Sequence, residues 1–128
     1  MVNYDIFIAG GKTMYALFIV LNEIDYLEDI LSGFVENKIS GATILDSQGM
    51  GSAIANSDNE DIPFFSKFRM LIGDSHPYSK TIFTVLESEI MVDKTVEVVR
   101  EVVADIEDSG IGFMFTVPIA KVYPMKQN

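Results

Sequence analysis

The chain has 128 residues, 48% hydrophobic and 22% charged, which suits a single folded domain with one core. It contains no cysteine and a single histidine, His76, which excludes disulfides, thiolate chemistry, Cys-ligated zinc and any site built on several histidines. Nineteen acidic residues against nine basic ones give a net charge of −10 with no basic cluster, which excludes nucleic acid and anionic membranes as partners.

The N-terminal stretch MVNYDIFIAGGKT has neither a basic n-region nor a long apolar h-region, so no signal peptide is expected. The longest apolar run, Met14 to Leu21, is too short to span a bilayer. The expectation is a soluble, cytoplasmic protein without membrane insertion. Tyr4 to Ala9 and Met14 to Leu21 are two β-type runs around Gly10-Gly11, the pattern of a hairpin. The second run is apolar at nearly every position, as in a central strand. Ile24, Leu27, Ile30, Leu31, Phe34 and Val35 then fall at helical spacing, with Asp25 as N-cap, Glu28 completing a capping box and Asn37-Lys38 as the stop.

Ser40-Gly41 leads into a short strand, Ala42 to Leu45, and then the glycine loop Gly49-Met50-Gly51. From Ser52 to Ser79 the character changes. Asn56 to Asp61 reads as a polar, acidic loop. Phe64, Phe65, Phe68, Leu71 and Ile72 have helical spacing behind Asp61 and Pro63, and Gly73 to Pro77 is turn chemistry. Lys80 to Glu87 is a strand. Val92, Val96, Val99, Val103 and Ile106 form a second helical stripe, closed at Asp108-Ser109-Gly110. Its valines favour strand by propensity, but a sustained period of three to four decides for helix. Ile111 to Val117 is a further strand, which Pro118 interrupts and Ile119 to Tyr123 continues at an edge. The order β-α-β, insertion, β-α-β predicts an α+β, ferredoxin-like split-βαβ sandwich: an antiparallel sheet with two helices on one face. The chain is read as one domain, 1–128, with 1–13 as an N-terminal extension or extra strand and 52–79 as the insertion.

Leu27 to Gly51, LEDILSGFVENKISGATILDSQGMG, resembles the first helix and second strand of the nitrogen regulatory PII signalling family. Leu27, Glu28, Asp29, Ile39, Gly41, Thr43, Gly49 and Gly51 fall at the family's spacing without a gap. The stretch from Thr81 through Val92-Asp93-Lys94 to Phe115 looks like its third strand, second helix and fourth strand. The resemblance covers residues 14–51 and 80–123. It implies a PII-like homotrimer that regulates rather than catalyses. Such a trimer would bind ATP, ADP, AMP or another small effector in the clefts between subunits, and would signal to a protein target through a T-loop, here 52–79. The implied site is Thr43, Gly49, Met50, Gly51 and Ser52 on one wall, with Gly110 and Gly112 on the other.

The chain also departs from the family. Ser52-Ala53 stand where members that bind 2-oxoglutarate carry Arg-Gln. Phe113 follows Gly112 where a phosphate-holding lysine is expected. Only Lys121 and Lys126 lie near the positions of two phosphate-holding arginines, and the T-loop tyrosine motif is missing.

Taken without the resemblance, Gly49-Met50-Gly51 suits either a close approach of backbone to phosphate or a plain turn. Ser109-Gly110 equally makes a helix C-cap. His76 reads as a solvated loop residue. Asp58, Glu60 and Asp61 read as solvated surface, and so do Glu28-Asp29, because adjacent helical residues do not face each other. Phe64, Phe65 and Phe68 read as a flap packed on its own core or on a neighbouring subunit, ahead of a partner-binding element. Two other readings share the architecture. An acylphosphatase-like hydrolase needs a cation on its phosphate, and Arg69 and Arg100, the only arginines, lie outside the glycine loops. A metal-tolerance trimer resembling the CutA family is weakened by the lack of cysteine and the single histidine.

Overall fold

The computed structural model describes residues 13–55 and 78–127. The chain runs β1 (Met14–Leu21), a 3-10 turn (Ile24–Tyr26), α1 (Leu27–Glu36), β2 (Thr43–Ser47), α2 (Met50–Ala55), β3 (Ser79–Leu86), α3 (Glu89–Val102), a second 3-10 turn (Ser109–Ile111) and β4 (Gly112–Ile119). The strands form one sheet in the order β2-β3-β1-β4, and every pairing is antiparallel. The last strand lies beside the first and the second beside the third, as the split-βαβ arrangement requires.

Strand alternation divides the sheet into two faces. Leu17, Ile19 and Leu21 of β1 and Ile82 and Leu86 of β3 point under the helices, where they are buried with Ile30 and Phe34 of α1 and Val92, Val98 and Val99 of α3. The two helices cross at Gly33: a Cβ there would stand 2.8 Å from Val98 Cγ1. Two hydroxyls enter this apolar layer with their bonds already made. Thr95 donates to the Met91 carbonyl at 2.7 Å, and Thr84 donates to the Gly41 carbonyl, tying β3 to the approach to β2. A buried hydroxyl without such a partner is costly.

The ends of the helices follow local chemistry. Ser88 caps α3 by accepting from the Met91 N–H at 3.2 Å. α1 ends at Asn37 and Lys38 as expected, in a Schellman motif. Lys38 is left-handed (φ 62), the Ile39 N–H donates to Phe34 O at 2.8 Å and the Lys38 N–H to Val35 O at 3.2 Å.

Several boundaries differ from the sequence expectation. α1 begins at Leu27 with Tyr26 at the cap position and no side-chain cap; Asp25 lies in the 3-10 turn, so the capping box does not form. β2 starts at Thr43 and reaches Ser47. Ser52 and Ser79, expected at the two ends of the insertion, belong to α2 and β3. α3 stops at Val102, and Val103 and Ile106 continue its apolar spacing through turns rather than helix. β4 passes through Pro118 and ends at Ile119; an edge strand tolerates proline because one row of its amides needs no ladder partner. Both edges of β1 are bonded from Tyr15 to Leu21, to β3 on one side and to β4 on the other. The Tyr4–Ala9 run, the acidic loop from Asn56, the helical spacing of Phe64, Phe65 and Phe68, Arg69 and the turn with His76 all lie outside the described residues.

Candidate functional site

The register levels four residues across the sheet: Asp46 pairs with Lys80, Lys80 with Leu21, and Leu21 with Gly112. The Gly49–Gly51 stretch leaves β2 just beyond this row, and the Gly110–Gly112 stretch enters β4 at it. Both therefore stand at the same end of the sheet. They stand on opposite edges, however, three interstrand spacings or about 14 Å apart. Within one protomer the two expected walls do not meet.

The first wall is not the open loop that its glycines suggest. Met50 and Gly51 begin α2, whose first turn is closed by the Ala53 N–H on Gly49 O at 3.0 Å. Met50 is 70% exposed, whereas Ser52 is 7% exposed, so the serine displays little of itself to a ligand. Gly49 has no atom within 4 Å of the point where a Cβ would sit. Thr43 lies at the other end of β2, about 13 Å along the strand, and is not gathered with Gly49 to Ser52.

Beneath this wall lies a polar cluster with no recognisable mark in the sequence. Ser47 and Ser79 share a hydroxyl–hydroxyl bond of 2.7 Å, Thr81 donates to Ser47 Oγ at 2.9 Å, and Ser79 donates to Ser47 O at 3.2 Å. On the opposite face of the same strand pair, the Lys80 ammonium donates to the Asp46 carboxylate. These residues come together only through the β2–β3 register, which no linear spacing reports.

The second wall is tightly built. Gly112 has φ +149, and a Cβ on it would stand 2.0 Å from Val20 O. The Gly110 N–H donates to the Asp108 carboxylate at 2.8 Å. Asn22 holds the same turn twice, its side chain donating to Gly110 O at 3.0 Å and its backbone to Ile111 O at 2.7 Å. Behind the turn is a cavity of about 140 Å³ whose lining includes Ile19, Leu21, Val99, Val103, Ile111 and Met114. This end of the molecule is acidic: Glu23, Asp25, Asp46, Glu101, Asp105, Glu107 and Asp108 stand against Lys80 and Arg100 among the described residues. Arg100 sits in the last turn of α3, on no glycine loop.

The helix-free face of the sheet is apolar. Phe18 stacks on Phe83 at 5.6 Å and on Phe115 at 4.9 Å with rings 5° apart, and Phe113 follows Phe115 at 6.0 Å. Val20, Val85 and Val117 extend the patch by alternation, and Phe113 is 61% exposed. Among the described residues no helix covers this face, and its Phe113, Phe115 and Val117 are exposed, as on an interaction surface.

No family model matches the chain, and no curated protein matches it in sequence. Among solved structures it is similar to PII of Arabidopsis thaliana, a crystal structure bound to citrate. The TM-score is 0.58 at 15% identity, over 87% of this chain and 81% of that one. The likeness is one of fold: the chain has the PII-like arrangement of strands and helices. Among the described residues no helix is long and apolar enough to cross a membrane.

Proposed function

We propose that the protein is a PII-like regulator rather than an enzyme. In this reading it is a cytoplasmic homotrimer that binds an adenine nucleotide or another small effector between its copies and reports to a protein target through the chain between α2 and β3. The observation that carries the reading is the position of the two glycine stretches, at one end of the sheet but on opposite edges. A cyclic assembly that brings the β4 edge of one copy towards the β2 edge of the next joins them without altering either. Charge supports the same assembly. At net charge −10, copies repel through their acidic helical surfaces, whereas the Phe18–Phe83–Phe115 face carries no charge.

The test combines oligomeric mass with ligand-dependent stability. Sedimentation should give a trimer. Thermal unfolding with ATP, ADP and AMP in turn should show a raised midpoint with at least one, because a ligand that binds only the native state at a hundred times its dissociation constant adds about 2.7 kcal/mol. Gly49→Val should abolish that rise with little change in unliganded stability, since among the described residues no atom stands within 4 Å of its Cβ position. A monomer, or a rise that survives Gly49→Val, contradicts the reading.

A further inference from the structure

The Gly112 end of the sheet is short of side chains on its helical side. Leu21 and Gly112 are partners in the register there, and Gly112 brings no side chain. None can be added without moving β1, since a Cβ on Gly112 would stand 2.0 Å from Val20 O. The helical cover runs out at the same place. α3 ends at Val102, and the chain goes on through tighter turns, the Ala104 N–H donating to Glu101 O at 3.4 Å and the Ile106 N–H to Val103 O at 3.1 Å. The two shortfalls coincide with the cavity of about 140 Å³ whose walls include Ile19, Leu21, Val99, Val103, Ile111 and Met114. Ile19, Leu21 and Val99 are buried, whereas Val103, Ile111 and Met114 are half-buried, so the space reaches from the core towards the surface. Protein interiors hold few voids larger than a water molecule. A cavity of roughly 150 Å³ with such walls binds benzene.

We propose that this cavity is a binding site for an uncharged apolar molecule about the size of one six-membered ring. Its six named walls offer methyl, methylene and thioether groups, with which such a ring makes dispersion contacts. A charged group seated among them would lose its hydration and gain no partner from these side chains. The occupant also packs against Ile111, in the 3-10 turn that leads Gly110 into β4. These residues all belong to one protomer, so the site is separate from the proposed cleft between copies and does not depend on it.

Calorimetric titration of the full chain with toluene, and with benzoate and benzylamine as its charged counterparts, tests this. Toluene should bind saturably at one site per protomer, and both charged rings at least tenfold more weakly. In methyl-resolved NMR of the wild type, toluene should shift the signals of Leu21, Val99, Val103 and Ile111 and leave those of Val85 and Val117, on the aromatic face, in place. Val103→Phe and, separately, Ile111→Phe each put a ring into the space from a half-buried position. Each should weaken toluene tenfold or more with circular dichroism unchanged. No saturable binding of toluene to the folded wild type overturns the proposal. Shifts confined to Val85 and Val117, or toluene affinity unaltered in a folded filling variant, overturn the cavity as the seat. Benzoate or benzylamine binding as tightly as toluene overturns the apolar class. None of the probes is a nucleotide, so this test and that of the effector reading fail independently.

Discussion

Gly112 and Gly49 look alike in a sequence and differ in what they demand. Gly112 combines φ +149 with a Cβ position 2.0 Å from Val20 O, so the fold of the protomer itself requires glycine there. Gly112→Ala should cost about 3 kcal/mol or more, from backbone strain and displacement of β1, read as a fall in the thermal or urea midpoint. A variant as stable as the parent contradicts that geometry. Gly49 has open space around its Cβ position, so no contact among the described residues requires glycine there. A Gly-x-Gly pattern cannot separate these cases, because the contact that decides lies on another strand. The same limit hid Asp108: its carboxylate occupies the Gly110 amide, which the sequence reading had left open to a ligand.

At the scale of elements, periodicity carried most of the information. One-sided burial forces apolar residues to recur every three to four positions on a helix, so α1 and α3 were legible even where α3 is rich in valine. Their ends were less so. Asp25 has cap chemistry but sits in a 3-10 turn, and α2, at six residues, is too short to leave a stripe, while Gly49 before it and Gly51 within its first turn mimic a loop. The crossing of α1 and α3 is set by Gly33 against Val98. Gly33→Ala gains up to about 1 kcal/mol of helix propensity but pushes a methyl into a buried, stiff side chain, a cost of about 1–3 kcal/mol. The net effect should be destabilising by about 1 kcal/mol in the parent. In a Val98→Ala background it should vanish or reverse. Chemical denaturation of the four proteins of that double-mutant cycle measures the coupling, and additive effects contradict the contact.

At the scale of the whole molecule, strand order sends the two glycine stretches to one end of the sheet on opposite edges, the placement on which the proposed cleft between copies rests. The sequence gives β-α-β twice, but the order β2-β3-β1-β4 rests on pairings between distant segments, and only that order sends the glycine stretches to opposite edges at one end. The alternation of apolar residues was visible, but which face lacks a helical cover was not. If the aromatic face joins the copies of the proposed trimer, Phe113→Asp, at an exposed position, should leave the protomer folded by circular dichroism while sedimentation falls to the protomer mass. An unchanged mass removes this face from the assembly.

The central claim is that the two walls join between copies, and the absence of cysteine allows a direct test. Cysteines are introduced at Gly49 and Gly110 of one chain, treated with a short bis-maleimide and resolved by denaturing electrophoresis. With the two positions on opposite edges of one sheet, linkage between copies should give covalent dimers and trimers from the double variant, and none from the variant with Gly110→Cys alone. Exclusive recovery of protomer, from a sample whose thiols have all reacted, would contradict the account.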